Sequence, residues 1–171
     1  FKAVDDFRKS AMNPERPVLR GSAQNPDIFF QAKEASNRFY NALPATVEAY
    51  MNMVNEKAGT NYKLFNYYGA PDATRVIIAM GSVCDTIEET VDYLNSKGEK
   101  VGLLKVRLYR PFSIEHFLKE LPSTVEKIAV LDRTKEPGSI GEPLYMDVCT
   151  AFLNQAKRPV IVGGRYGLGS K

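Results

Sequence analysis

Two cysteines and one histidine in 171 residues leave little material for metal or nucleophile chemistry. Cys84 and Cys149 have no second Cys or His at ligand spacing. A disulfide between them stays open, but two buried thiols in a reducing compartment is the expectation. Without a second histidine, neither a metal-ligand cluster nor a Ser-His triad is evident. Long apolar runs are also missing. Val76–Met80 is typical, and spanning a bilayer takes about 20 residues. Phe1 begins no signal-peptide pattern. Charge of one sign is scarce too: the net value is +3, with no Lys/Arg-rich block, which argues against nucleic acid as a partner. The chain is expected to be cytoplasmic, with no membrane partner.

What is present is an ordinary globular composition, 44% hydrophobic and 25% charged. The chain divides into two unlike parts. Residues 1–66 read as a lead-in, the tail of a preceding domain or an interdomain segment. Phe1, Val4, Phe7 and Ala11 suggest a short amphipathic helix that stops before Asn13-Pro14. Asn13 to Asp27 is irregular, with Pro14, Pro17, Pro26 and Gly21. A helix is expected over Phe30–Tyr40. A second starts near Pro44, carries the stripe Val47, Tyr50, Met51 and Val54, and ends at Gly59 as its C-cap. Phe65, Tyr67 and Tyr68 then crowd the junction as a packing cluster.

Residues 67–171 read as an α/β domain. Val76–Met80 is a short continuous apolar run, as a strand covered on both faces requires. Gly81 breaks it, and Ser82 begins a helix with Asp85 as capping-box partner, ended by Gly98. Val101–Val106, Lys127–Leu131 and Pro159–Gly163 are further strands. Ser113–Leu121 and Pro143 to about Asn154 are further helices. Alternating strands and helices imply right-handed crossovers: a three-layer, open, mostly parallel sheet with helices on both faces.

The polar groups are weighed one by one. Arg107, Arg110, Arg133 and Lys135 follow the second and third of these strands and form a candidate positive rim at the carboxyl edge. The rim suits an anion such as the phosphates of coenzyme A. The plainer reading pairs these cations with Asp132, Glu136 and Glu142 of the same domain. Gly138-Ser139-Ile140-Gly141 follows a strand and precedes a helix, so its amides are candidates for an anion cradle. It lacks the Lys-Ser/Thr of a P-loop and the dinucleotide spacing, and a permissive loop is favoured. Gly163-Gly164-Arg165-Tyr166-Gly167-Leu168-Gly169 is an equally weak phosphate signal. His116 shares its helix with Glu115, Lys119 and Glu120 and is expected to face solvent. The last helix, with Leu144, Met146, Val148, Cys149, Ala151, Phe152 and Leu153, is apolar nearly all round, as for burial between the sheet and another domain. A phospho-receiver domain fits poorly, because Met80-Gly81-Ser82 offers no acidic pair for Mg²⁺. No catalytic residue is singled out.

Arg20-Gly21-Ser22-Ala23-Gln24-Asn25-Pro26-Asp27, Tyr68–Ala73, Met80–Cys84, Val106–Phe112, Leu131–Pro143 and Arg165–Lys171 together, in this order, resemble successive parts of the pyruvate:ferredoxin (or flavodoxin) oxidoreductase family. They cover the end of its first domain and its second core domain, which is similar to the C-terminal domain of transketolase. The resemblance implies a large, usually homodimeric enzyme that decarboxylates a 2-oxoacid on thiamine diphosphate with Mg²⁺. Such an enzyme passes electrons through [4Fe–4S] clusters to ferredoxin or flavodoxin, and its acyl group goes to coenzyme A. This chain has no cysteine run for a cluster and no recognisable thiamine or Mg²⁺ motif, so those cofactors are expected in other domains of the same polypeptide. The expected role is a non-catalytic scaffold domain, inactive alone. The alternative is an autonomous anion- or coenzyme A-binding module.

Overall fold

The computed structural model describes residues 1–18, 21 and 23–169. Of the segments carrying the family resemblance, Arg20, Ser22, Ser170 and Lys171 lie outside the described residues. The chain separates into two compact units, Phe1–Asn37 and Arg38–Lys171.

The first unit holds α1 (Lys2–Lys9) and α2 (Pro26–Ala35), and neither helix has a buried residue. Pro26 occupies the first turn of α2, where its missing N–H costs nothing.

The second unit opens within α3 (Asn37–Ala58), at Arg38. Pro44 lies inside this helix and does not start it, a correction to the expected break between two helices. Val47 and Met51 of the expected stripe pack against the core, whereas Tyr50 and Val54 are exposed. Gly59, at φ +66°, ends the helix as expected, its N–H donating to Asn55 O.

Five strands follow: β1 (Phe65–Gly69), β2 (Arg75–Ala79), β3 (Val101–Val106), β4 (Lys127–Asp132) and β5 (Val160–Arg165). Their order in the sheet is β1-β3-β2-β4-β5, with β1 antiparallel to β3 and every other pair parallel. The expected α/β class holds. The aromatic cluster at the junction turns out to be the edge strand β1, so a boundary between residues 66 and 67 would cut through it. Tyr67 lies flat over Gly102 of β3, where a side chain at 102 would collide with the ring. Burial, helped by Asp72, pushes the Tyr67 phenol up to about 12.

α4 (Val83–Ser96) covers the β1, β3 and β2 part of one face of the sheet, and α5 (Ile114–Glu120), α6 (Pro143–Ala151) and part of α3 cover the other. The α4 side buries Ala79, Cys84, Ile87, Val91 and Leu103. The opposite side is larger, built on Val76, Ile78, Ile128, Val130, Leu144 and Val148. Phe65, Phe112, Phe117 and Phe152 cluster there with paired centroids 5.3 to 5.9 Å apart, edge to face except for the tilted Phe112–Phe117 pair. The expected capping box at Ser82 does not form. Ser82 itself has helical torsions, φ −64° and ψ −22°, and makes no side-chain cap. Gly163 lies in β5 as expected, and the strand continues through Gly164 and Arg165 where a glycine loop was expected. Tyr145 of α6 overlies Gly163, and Leu131 sits 2.9 Å from where a Cβ at Gly164 would stand. These two glycines therefore serve strand packing.

Candidate functional site

β2 and β4 are parallel neighbours whose outgoing connections part company. α4 carries the chain from β2 to β3 on one side, and α6 carries it from β4 to β5 on the other. Such a divergence leaves a crevice beyond the carboxyl ends of the two strands, the usual ligand position in an open α/β sheet. Here it has a volume of ≈ 580 Å³, lined by Met80, Gly81, Ser82, Tyr109, Leu131 to Thr134, Pro143 and Tyr166. Tyr166 reaches across it, its hydroxyl donating to Met80 O at 3.4 Å. Burial, and then a hydrogen bond with Asp147, raise the Tyr109 phenol to about 12, so it stays neutral.

The carboxylates beside this crevice are already engaged. Asp132 is buried and accepts the N–H groups of Leu144 at 3.0 Å and Tyr145 at 3.1 Å, capping α6. Glu142, also buried, accepts the Glu136 N–H at 2.7 Å and pairs with Arg165. The Arg165 guanidinium in particular holds the Glu142 carboxyl below its ordinary value, with the Glu136 N–H assisting and burial opposing. The first amides of α6 thus already serve Asp132. The Gly138–Gly141 loop closes on itself, with Ser139 Oγ donating to Gly141 O at 2.6 Å. An anion cradle there would compete with the chain's own carboxylate.

The four candidate cations do not meet in one rim. β2 stands between the strand that ends before Arg107 and the strand that ends before Arg133. Arg107 donates to Asn66 Oδ1 at 2.8 Å and stacks 4.6 Å over the Tyr62 ring, lining a separate hollow beside Val47 and Met51 of α3. Arg110 lies 4.0 Å over the Tyr109 ring and 2.6 Å from Asp147 of α6. Only Arg133 lines the crevice, where its Nε donates to Gly167 O at 3.4 Å. Lys135 is exposed in the loop beyond, donating to Glu136 O at 3.1 Å. The expected pairing of these cations with Asp132, Glu136 and Glu142 carboxylates is also corrected. Arg110 takes Asp147, and Glu142 takes Arg165, a partnership across 23 positions that only the β4-α6-β5 topology brings about.

Residues 73–170 match the family model described as pyruvate:ferredoxin oxidoreductase core domain II. The chain belongs to that family. It is 66% identical over 99% of its length to a pyruvate-flavodoxin oxidoreductase of Enterobacter agglomerans, covering 14% of that protein. It is 62% identical over 100% of its length to a pyruvate:ferredoxin oxidoreductase of Moorella thermoacetica, covering 15%. A solved 2-oxoglutarate:ferredoxin oxidoreductase from Magnetococcus marinus, with 2-oxoglutarate, coenzyme A and succinyl-CoA bound, aligns at TM-score 0.48 and 18% identity, over 86% of this chain and 22% of that one. The chain thus spans about one-seventh of the length of the curated relatives it matches.

Within this core domain II chain, His116 is half-buried and does not simply face solvent. Its Nδ1 lies 2.7 Å from Ser113 Oγ, and its Nε2 lies 3.8 Å from Glu48 of α3. The residue lies in the first turn of α5 and brings that helix close to α3. Cys84 and Cys149 are both free thiols, carried by helices on opposite faces of the sheet, which removes the disulfide left open by sequence. Burial, foremost, pushes the Cys84 thiol up, so it stays protonated. Among the described residues no three His, Cys, Asp or Glu side chains converge as a metal site, and no helix is long and apolar enough to cross a membrane.

Proposed function

We propose that this chain is a non-catalytic core domain of a larger polypeptide that oxidatively decarboxylates a 2-oxoacid, pyruvate by preference. In this reading the acyl group passes to coenzyme A and the electrons to ferredoxin or flavodoxin. The observation that carries it is the commitment of the strand-end groups: Asp132 and Glu142 hold the α6 end, and Arg110 is neutralised by Asp147. A domain whose charged groups secure its own loops is built to hold shape. The names of the relatives, and the one-seventh of their length that the chain spans, support the rest.

Thiamine diphosphate with Mg²⁺ and [4Fe–4S] clusters do not fit the residues here. Two thiols on opposite faces of a sheet cannot ligate one cluster, and Asp132 and Glu142 beside the crevice are already engaged within the domain. This reading puts those cofactors in other domains of the same polypeptide, which acts as a homodimer in the cytoplasm, where two free thiols persist. The test is an anaerobic assay of the full-length polypeptide with pyruvate, coenzyme A and either ferredoxin or flavodoxin. Reduction of the acceptor that needs both substrates is expected. No reduction with any 2-oxoacid overturns the proposal.

A second reading, coenzyme A phosphates at the crevice rim, is favoured by exposed Arg133 and Lys135 alone. Under it, Arg133→Ala with Lys135→Ala raises the KM for coenzyme A. The scaffold reading leaves that KM unchanged.

A further inference from the structure

The sheet register sorts the side chains of β4 and β5 into two faces. Partners side by side in a parallel pair point the same way, and successive residues alternate. Ile128 with Ile161, and Val130 with Gly163, point toward α6. Lys127 with Val160, Ala129 with Val162, and Leu131 with Gly164 therefore point to the opposite face, the side of α4. α4 packs on β3 and β1 and leaves this face of β4 and β5 bare. Val160 is 63% and Val162 56% exposed. A groove of ≈ 290 Å³ runs here, bounded by Ile77, Ala129, Val160 and Val162 on the sheet and by Val91 and Leu94 on α4.

Two strand spacings give this strip a width of about 10 Å, close to the diameter of an α-helix. Its floor is aliphatic, with Arg75, Thr90 and Lys127 also in the lining, which suits a helix that sets an apolar stripe on the floor and polar residues beside it. An open apolar edge of this kind also invites wrong association unless it is covered.

We propose that a helix of the same polypeptide, from outside residues 1–171, packs in this groove antiparallel to β4 and β5. The inference rests on the reading that the chain is one domain of a longer protein, as relatives of which it spans 14–15% suggest. Direction supports it as well. The connection from β2 to β3 runs away from β5 and lies on the α4 face, whereas those running toward β5 lie on the other face. A segment turning back across β4 toward a further parallel strand would travel in the α4 sense, and the right-handed rule for such crossovers would put it on the α4 face.

The test uses the full-length protein with a photoreactive benzoylphenylalanine placed at Val160 and, separately, at Val162. The two positions are about 6.6 Å apart along the strand, roughly one helical turn. Crosslinks are expected to one peptide outside residues 1–171, about one turn apart, with the Val162 partner earlier in sequence than the Val160 partner. In a mixture of isotope-labelled and unlabelled protein these crosslinks stay within single chains. Val160→Cys, which adds no bulk, is expected to react with maleimide at least roughly tenfold more slowly in the native than in the denatured protein. Crosslinks to a second copy, crosslinks confined to residues 1–171, or equal maleimide rates overturn the inference. The intact mass separates the two readings. A long polypeptide without these crosslinks sinks only the helix, and a polypeptide no longer than this chain sinks both.

Discussion

Asp132 at the end of β4 and Leu144 in the first turn of α6 are joined by a 3.0 Å hydrogen bond from the Leu144 N–H to the Asp132 carboxylate. The adjoining Tyr145 N–H takes the other carboxylate oxygen. In an open α/β sheet, the strand end and the following helix N-terminus are the places where a ligand anion is usually received. Here the chain supplies its own anion, and the loop from Arg133 to Glu142 is pinned by the Glu136 N–H bond to the Glu142 carboxylate.

Asp132→Ala removes that cap and leaves two amides in a buried setting. The expected cost is about 2–4 kcal/mol, read as a lower urea midpoint with unchanged slope. Asp132→Asn keeps one acceptor and is expected to lose about half as much. Equal stability of Asp132→Ala and the parent would show that the cap is idle.

Glu142 titrates below its ordinary value of 4.5 because Arg165 and the Glu136 N–H favour its charged form. A depressed folded-state value means that the stabilisation is complete above the ordinary value. It fades as pH falls through the lowered one. Arg165→Ala removes the largest cause, so the acid unfolding midpoint moves to higher pH while the neutral-to-alkaline dependence stays as it was. A midpoint that does not move contradicts the assignment.

The Tyr67 ring over Gly102 leaves no room for a methyl group. Gly102→Ala is expected to cost about 1–3 kcal/mol by overpacking. Combined with Tyr67→Ala, the added methyl costs less than it does alone, a coupling that a double-mutant cycle reads directly. Strict additivity would mean that the two residues do not meet.

Arg107 and Arg133 look alike in sequence and differ in structure. Arg107→Ala loses a hydrogen bond to Asn66 and a cation–π contact with Tyr62. It is expected to cost about 1 kcal/mol. Arg133→Ala is expected to stay within about 0.5 kcal/mol of the parent. The reverse order in thermal denaturation would refute this placement.

The parallel strands were legible because burial on both faces makes them continuous apolar runs, as Val76 to Ala79 and Ile128 to Leu131 illustrate. β1 was not, since Phe65-Asn66-Tyr67-Tyr68 finds its partner some 40 positions away, at Val106 to Leu103. Gly164 mimics the start of a loop, because its reason for being small is Leu131, which local pattern does not place over it. Pro44 is the opposite case, a strong local signal overridden within a helix of 22 residues. For the candidate site, the charged residue types were readable and their partners were not. Arg110 with Asp147 and Arg165 with Glu142 meet only after the strand order is set.

The most direct measurement is steady-state kinetics of the full-length polypeptide carrying Ser82→Ala, Arg133→Ala and Tyr166→Phe together, three side chains that line the crevice. The account predicts pyruvate- and coenzyme A-dependent acceptor reduction with kcat and both KM values within about twofold of the parent, as for residues outside the transition-state contacts. A loss of kcat by a hundredfold or more at unchanged stability, about 2.7 kcal/mol of transition-state stabilisation, would make the crevice part of the catalytic machinery and contradict the scaffold role.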